Sequence, residues 1–187
     1  MCIHFLRSLP AIALDQLCSC LCPKVIVKGI RVVDINSRTR AAFASAIESA
    51  LELIEKTDIS LFKRTKKEIL RIDHLPCGGA HYSRHLRQCV IDLDKLIGNT
   101  NDEKSAHSRL AVTIVHEATH GYLYSRGIYY AKSNHWRVER ICIKEQNRFA
   151  RMVGFEEYPF ESYQHPPFSR RFEEFKRDVA RVWKGGK

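Results

Sequence analysis

His116 and His120 stand four residues apart with Glu117 between them, in the run His116-Glu117-Ala118-Thr119-His120. On an α-helix, residues four apart lie one above the other, only about 40° apart around the axis. Two imidazoles so placed can hold one zinc ion, which neutral His nitrogens ligate at about 2.0–2.1 Å. Glu117 then projects beside the ligands, where a carboxylate can take a proton from a metal-activated water. It is a base and not a ligand. The chemistry of such a set is hydrolysis, with the metal as Lewis acid and Glu117 as the general base. The five-residue pattern also arises by chance, so its surroundings must carry it.

The elements that would position these residues can be read from periodicity. Ser105–Tyr124 has no proline and no glycine before Gly121, and it places Ala111, Val115, Ala118 and Tyr122 at helical spacing, ending near Gly127. The motif therefore lies on a helix, beside its apolar stripe, at the edge of a core where a cleft can form. A second helix is predicted over His135–Met152, with Val138, Ile141, Cys142, Phe149 and Met152 as its stripe and Gly154 closing it. It follows closely enough to offer a third ligand. Upstream, the β-branched run from Lys24 to Ile35 predicts one strand bent at Gly29. Asn36 and Ser37 can cap a long helix carrying Phe43, Ile47, Leu51 and Ile54. Lys67–Leu75 and Gln88–Leu93 read as two further strands of a hairpin, separated by turn formers Pro76, Cys77, Gly78 and Gly79. The second of these strands would be a sheet edge able to hold an extended peptide. Phe172, Phe175, Val179 and Val182 predict a packed terminal helix over Ser169–Trp183. The order strand, helix, strand, strand, helix, helix gives an α+β fold, with a short mixed sheet packed on the motif helix and the helix that follows it.

The chain has 187 residues, 44% hydrophobic and 28% charged, which suits one domain with one core and excludes disorder and repeat arrays. Residues 1–23 hold Cys18, Cys20 and Cys22 with no clear period, and read as an N-terminal appendage to a single domain over 24–187. Asp15, then Lys24, Lys28 and Arg31, interrupt the apolar runs, so no spanning helix is expected. Leu9–Leu14, short and containing Pro10, makes a poor signal peptide. Seven cysteines, an odd count, fit reduced thiols and a cytoplasmic protein. The net charge of +10 would attract nucleic acid, but the basic residues are scattered from Lys63–Lys67 to the tail and form no nucleic-acid motif. A peptide or protein is the expected partner.

The chain here resembles the zincin metallopeptidases, most specifically the gluzincin branch, through HEATH followed by 18 residues and Glu139. The resemblance covers residues 67–152 in element order and the HEATH and Glu139 positions in residue identity. It implies a zincin-like domain in which His116, His120 and Glu139 bind zinc, Glu117 is catalytic and peptide bonds are hydrolysed. Leu123 and Arg126 stand where the metzincin extension has glycine and a third histidine, which excludes that branch. Ile143 departs from the usual gluzincin acidic residue four positions after Glu139. SprT-like peptidases are also similar, and they imply His135 as third ligand in place of Glu139. Two non-enzymatic readings stand beside these: a zinc-binding protein without catalysis, and a basic nucleic-acid-binding domain. Glu145, inside the apolar stripe, either accepts the distal N–H of a ligand histidine or pairs with an arginine such as Arg148. Candidate oxyanion donors are Tyr82, His81, His85, Tyr129 and Tyr130. His4, His74, His107 and His165 have no ligand spacing and read as ordinary surface or core residues.

Overall fold

The computed structural model describes residues 23–34, 39–75, 77–98, 102–129 and 134–158. The Cys-rich N-terminal appendage, Tyr130 and the expected terminal helix lie outside the described residues. The elements are β1 (Lys24–Val27), β2 (Ile30–Asp34), α1 (Arg40–Thr57), α2 (Ile59–Glu68), β3 (Arg71–His74), β4 (Ala80–Ser83), β5 (Gln88–Ile91), α3 (Leu93–Ile97), α4 (Glu103–Tyr124) and α5 (His135–Met152). They make an α+β fold around a five-stranded mixed sheet of order β1-β2-β3-β5-β4. The inner strands β2, β3 and β5 are parallel, and β1 and β4 run antiparallel at the two edges.

Two local expectations change, and one helix is added. The single bent strand over Lys24–Ile35 is a hairpin, because Lys28 (φ 48°) and Gly29 (φ 85°) are both left-handed and together reverse the chain. Lys28 accepts that backbone while its ammonium donates to Glu55 at 2.8 Å. The expected long helix is α1, and an unexpected second helix follows it: the extended backbone of Asp58 stops α1, and its carboxylate caps α2 by accepting from the Leu61 N–H at 2.9 Å. The expected hairpin of Lys67–Leu75 with Gln88–Leu93 is a parallel pair, Arg71 opposite Gln88 and His74 opposite Ile91. The glycines after Leu75 lead into β4 instead, which turns back at Arg87 (φ 48°) to pair with β5. Gln88–Ile91 is therefore an interior strand, buried throughout, and β4 is the edge.

The core lies between one face of the sheet and the helices. Val32, Ile72 and Cys89 share one row across β2, β3 and β5 and are buried with Phe43, Ile47, Leu51 and Ile54 of α1, and Leu110, Ile114, Val115 and Ala118 of α4. The opposite face of β3 and β5 carries a paired polar set: Asp73 accepts from Arg71 and Gln88, each at 2.7 Å. His74 is a core residue, stacked on Phe43 and 3.4 Å from Asp34. The central helix α4 is buried on nearly every side and not merely along the expected stripe. The buried face of α5 also shifts, since Ile141 and Met152 are 37% and 47% exposed while Glu139 and Gln146 are buried. Polar groups occupy the middle of an inward face, which needs a reason in what they face. No helix among the described residues is long and apolar enough to cross a membrane, and Cys77, Cys89 and Cys142 form no disulfide.

Candidate metal centre

Helix α4 is fixed at both ends. Asp102 accepts from the N–H groups of Lys104 and Ser105, at 3.3 and 2.9 Å, and Glu103 puts negative charge in the first turn. At the other end Gly127 (φ 78°) lets Ile128 N–H reach Leu123 O at 3.0 Å and Gly127 N–H reach Tyr124 O at 3.0 Å, the Schellman pattern. Just past His120, Gly121 has no side chain where one is excluded: a Cβ there would lie 2.9 Å from Glu68 Cβ and from the Tyr82 ring. That omission lets α2 and the edge strand β4 press against the motif helix.

On this helix the Nε2 atoms of His116 and His120 approach to 3.2 Å. Glu139 of α5 places Oε2 3.5 Å from His116 Nε2 and Oε1 3.5 Å from His120 Nε2. A tetrahedral ion with arms of about 2.0–2.1 Å holds its ligands roughly 3.3–3.4 Å apart, so these separations already match the edges of a coordination polyhedron. The Cys142 thiol, one turn beyond Glu139, stands close by, its Sγ and the two histidine nitrogens lying within 4.8 Å of one another. This buried group can hold a metal ion.

Gln146 sets the direction of one ligand. Its Oε1 lies 2.6 Å from His116 Nδ1 and, as an amide oxygen, can only accept, so Nδ1 carries the proton. The lone pair of Nε2 is thereby turned toward His120 and Glu139. Electron pairs of an imidazole and a carboxylate converge on one point, an arrangement that a cation completes. The electrostatics agree. Burial works against charge on His116, yet the Glu139 carboxylate, and Glu117 through space, outweigh it and raise its pKa. The same surroundings, burial first and then the Glu139 and Glu117 charges, push the Cys142 thiol well up.

Of the residues named from sequence, His116, His120 and Glu139 come together, and Glu117 stays out of the ligand group. Glu117 is buried, and its charge acts on His116, on Cys142 and on Cys89 of β5. His135 is half-buried at the start of α5, set edge-on to Trp136 at 5.1 Å, and is not one of the converging ligand group. Glu145 takes the arginine pairing, with Arg64 at 2.7 Å and Arg148 at 3.0 Å. The histidine-orienting role falls to its neighbour Gln146. Gln146 and Cys142 are the members that sequence reasoning missed. Their signal was position, seven and three residues after Glu139 and on the face they share with it, but cysteine reads as a hydrophobe and glutamine as surface.

Three of the oxyanion candidates, Tyr82, His85 and Tyr129, share one cavity. Tyr82 donates to Glu68 O at 3.0 Å, and burial pushes its pKa up to about 12. His85 accepts from Arg84 Nε at 3.0 Å, and Tyr129 leans on Tyr124. These three, with Gly121, Ser125 and Arg87, line a cavity of about 330 Å³ beyond the end of the motif. His81 lies in β4 opposite Val90. Compared with models of known protein families, with curated proteins and with solved structures, the chain matches none.

Proposed function

We propose that this protein is a zinc-dependent metallopeptidase of the zincin type, in which His116, His120 and Glu139 hold the metal and Glu117 is the general base. The observation that carries the proposal is the convergence of two histidine nitrogens and one carboxylate, all buried, at 3.2, 3.5 and 3.5 Å. Imidazole, carboxylate and a nearby thiol suit zinc better than magnesium or calcium, which prefer all-oxygen sites. Bound there, zinc supplies Lewis acidity toward a peptide carbonyl and brings the pKa of a water toward 7. Glu117, adjacent to a ligand yet outside the ligand group, takes the proton from the attacking water and returns it to the leaving amine. Gln146 keeps His116 in the ligating tautomer. The edge strand β4, held against α4 by the bare Gly121, offers main-chain donors and acceptors to an extended peptide.

Glu139, whose two carboxylate oxygens lie 3.5 Å from His116 Nε2 and from His120 Nε2, favours the gluzincin-type ligand set over the SprT-like one. A purely structural zinc site has no use for a carboxylate in the position of Glu117, which favours an enzyme over a binding protein. The test is Glu117→Gln, assayed on a peptide library together with metal analysis. It should retain about one zinc per chain and lose turnover by roughly 10²–10⁴-fold. A variant as active as the parent would refute the assignment.

A further inference from the structure

Cys142 is fully buried on the face of α5 that carries Glu139 one turn earlier and Gln146 one turn later. Its sulfur shares the space of the two histidine nitrogens, all within 4.8 Å of one another. Behind it lie Leu123, Val138 and Tyr122, a small apolar cluster separate from the main core, which keeps water from that side of the centre. A buried cysteine can serve as a small hydrophobe. This one also points sulfur at two imidazoles whose other neighbour is a carboxylate, and that combination is a donor set. Catalytic zinc sites use three protein ligands and leave one position open, whereas four protein ligands make a closed site. His116, His120, Glu139 and Cys142 are four.

We propose that Cys142 is a fourth protein donor, which closes the centre in the resting protein and must leave the metal before water and a peptide carbonyl can share it. As the sulfur–metal bond forms, the S–H proton passes to solvent; as the bond breaks, the sulfur takes a proton back. The enzyme is thus latent by its own ligand set, with Glu139 and Cys142, three residues apart on one helix face, as the permanent and the exchangeable donor. The thiolate also makes the closed state selective for zinc over harder ions such as manganese. The closed state rests on metal binding alone, and its role as a latent form rests on the metallopeptidase proposal above.

Cobalt(II) replaces zinc in such sites and reports sulfur ligation as a thiolate-to-cobalt charge-transfer band in the near ultraviolet. The full-length protein, Cys142→Ser and Cys142→Ala are loaded with cobalt, metal per chain is counted and the spectra are compared. The alanine variant keeps the apolar contacts should a hydroxyl disturb the fold. The expected result is one cobalt per chain in all three, a charge-transfer band in the parent, and its loss in both variants. Zinc-loaded Cys142→Ala should then turn over peptide faster than the parent. Cobalt bound without the band, or a band that survives both substitutions, overturns the fourth donor and leaves the three-ligand site standing. A turnover equal to the parent's overturns the latent state. A parent that takes up no metal overturns the metal centre and this inference together.

Discussion

Glu139 and Glu145 sit less than two turns apart on α5, and the fold sets different partners opposite them. Glu145 faces Arg64 and Arg148, at 2.7 and 3.0 Å, and Arg148 reaches on to Asp58 at 2.8 Å. Burial would raise the Glu145 carboxyl, but the hydrogen bonds from the two guanidiniums outweigh it and hold its pKa below the usual range. Glu139 faces His116 and His120, each at 3.5 Å. Guanidinium carries its charge at every physiological pH, while an imidazole can exchange its proton for a metal ion. The fold itself supplies the cations for Glu145. At Glu139 it supplies imidazole nitrogens beside a carboxylate, a group that can hold a metal ion. Two residues of one type on one helix thus differ in role because of what α2 and α4 bring to them.

The contrast breaks most sharply by exchanging the losses. Glu139→Ala should reduce bound zinc from one per chain to near zero, while Glu145→Ala keeps the zinc and loses about 1–3 kcal/mol of stability, since Arg64 loses its Glu145 partner and Arg148 is left with Asp58. Elemental analysis and thermal melts of both variants read this out. Zinc retained by Glu139→Ala would show that the carboxylate is as structural as Glu145. A smaller effect is expected at Gln146→Leu, which should bind zinc about 10–100-fold more weakly in a chelator competition, since His116 loses the acceptor that fixes its tautomer. Unchanged affinity would place the control of that ring elsewhere. The smallest effect is on acid stability. The folded pKa of Glu145 is depressed, so its contribution is present above the unfolded value of about 4.3 and disappears as pH falls through the folded one. Melting curves of the parent and Glu145→Ala should therefore converge below about pH 4 and separate above it. Curves that stay parallel over that range would remove Glu145 from the ion-pair network.

The sequence was most legible where one periodic signal acted alone. The motif helix was expected to Tyr124, where α4 ends, and α5 was placed over His135–Met152 from its stripe and from Gly154, whose φ of 67° closes it. Strands were harder, because an apolar run of four or five residues does not say which neighbour it pairs with. Gln88–Ile91 reads the same as an edge or as the inner strand it is, and only the return of β4 decides. Asp58 was an unread capping signal, and α2, the helix it starts, was not among the expected elements. At the site, His116, Glu117 and His120 were visible through their spacing. Glu139 needed a family resemblance to be singled out from its neighbours. Gln146 and Cys142 were hidden because their partners lie on another helix, and a single chain shows no cross-helix contact until it is folded.

The donors all come from α4 and α5, which follow one another in the chain and pack together. Closing the centre therefore spans only the stretch from His116 to Gln146, whereas pairing β2 with β3 joins Arg31 to Arg71 across two helices. Loop closure costs more as the closed loop lengthens, and contacts between near neighbours in sequence form faster. The pair of helices is thus the segment of this fold with the lowest contact order among those that carry chemistry. An ion held by these donors would therefore clasp together two helices that are neighbours in the chain.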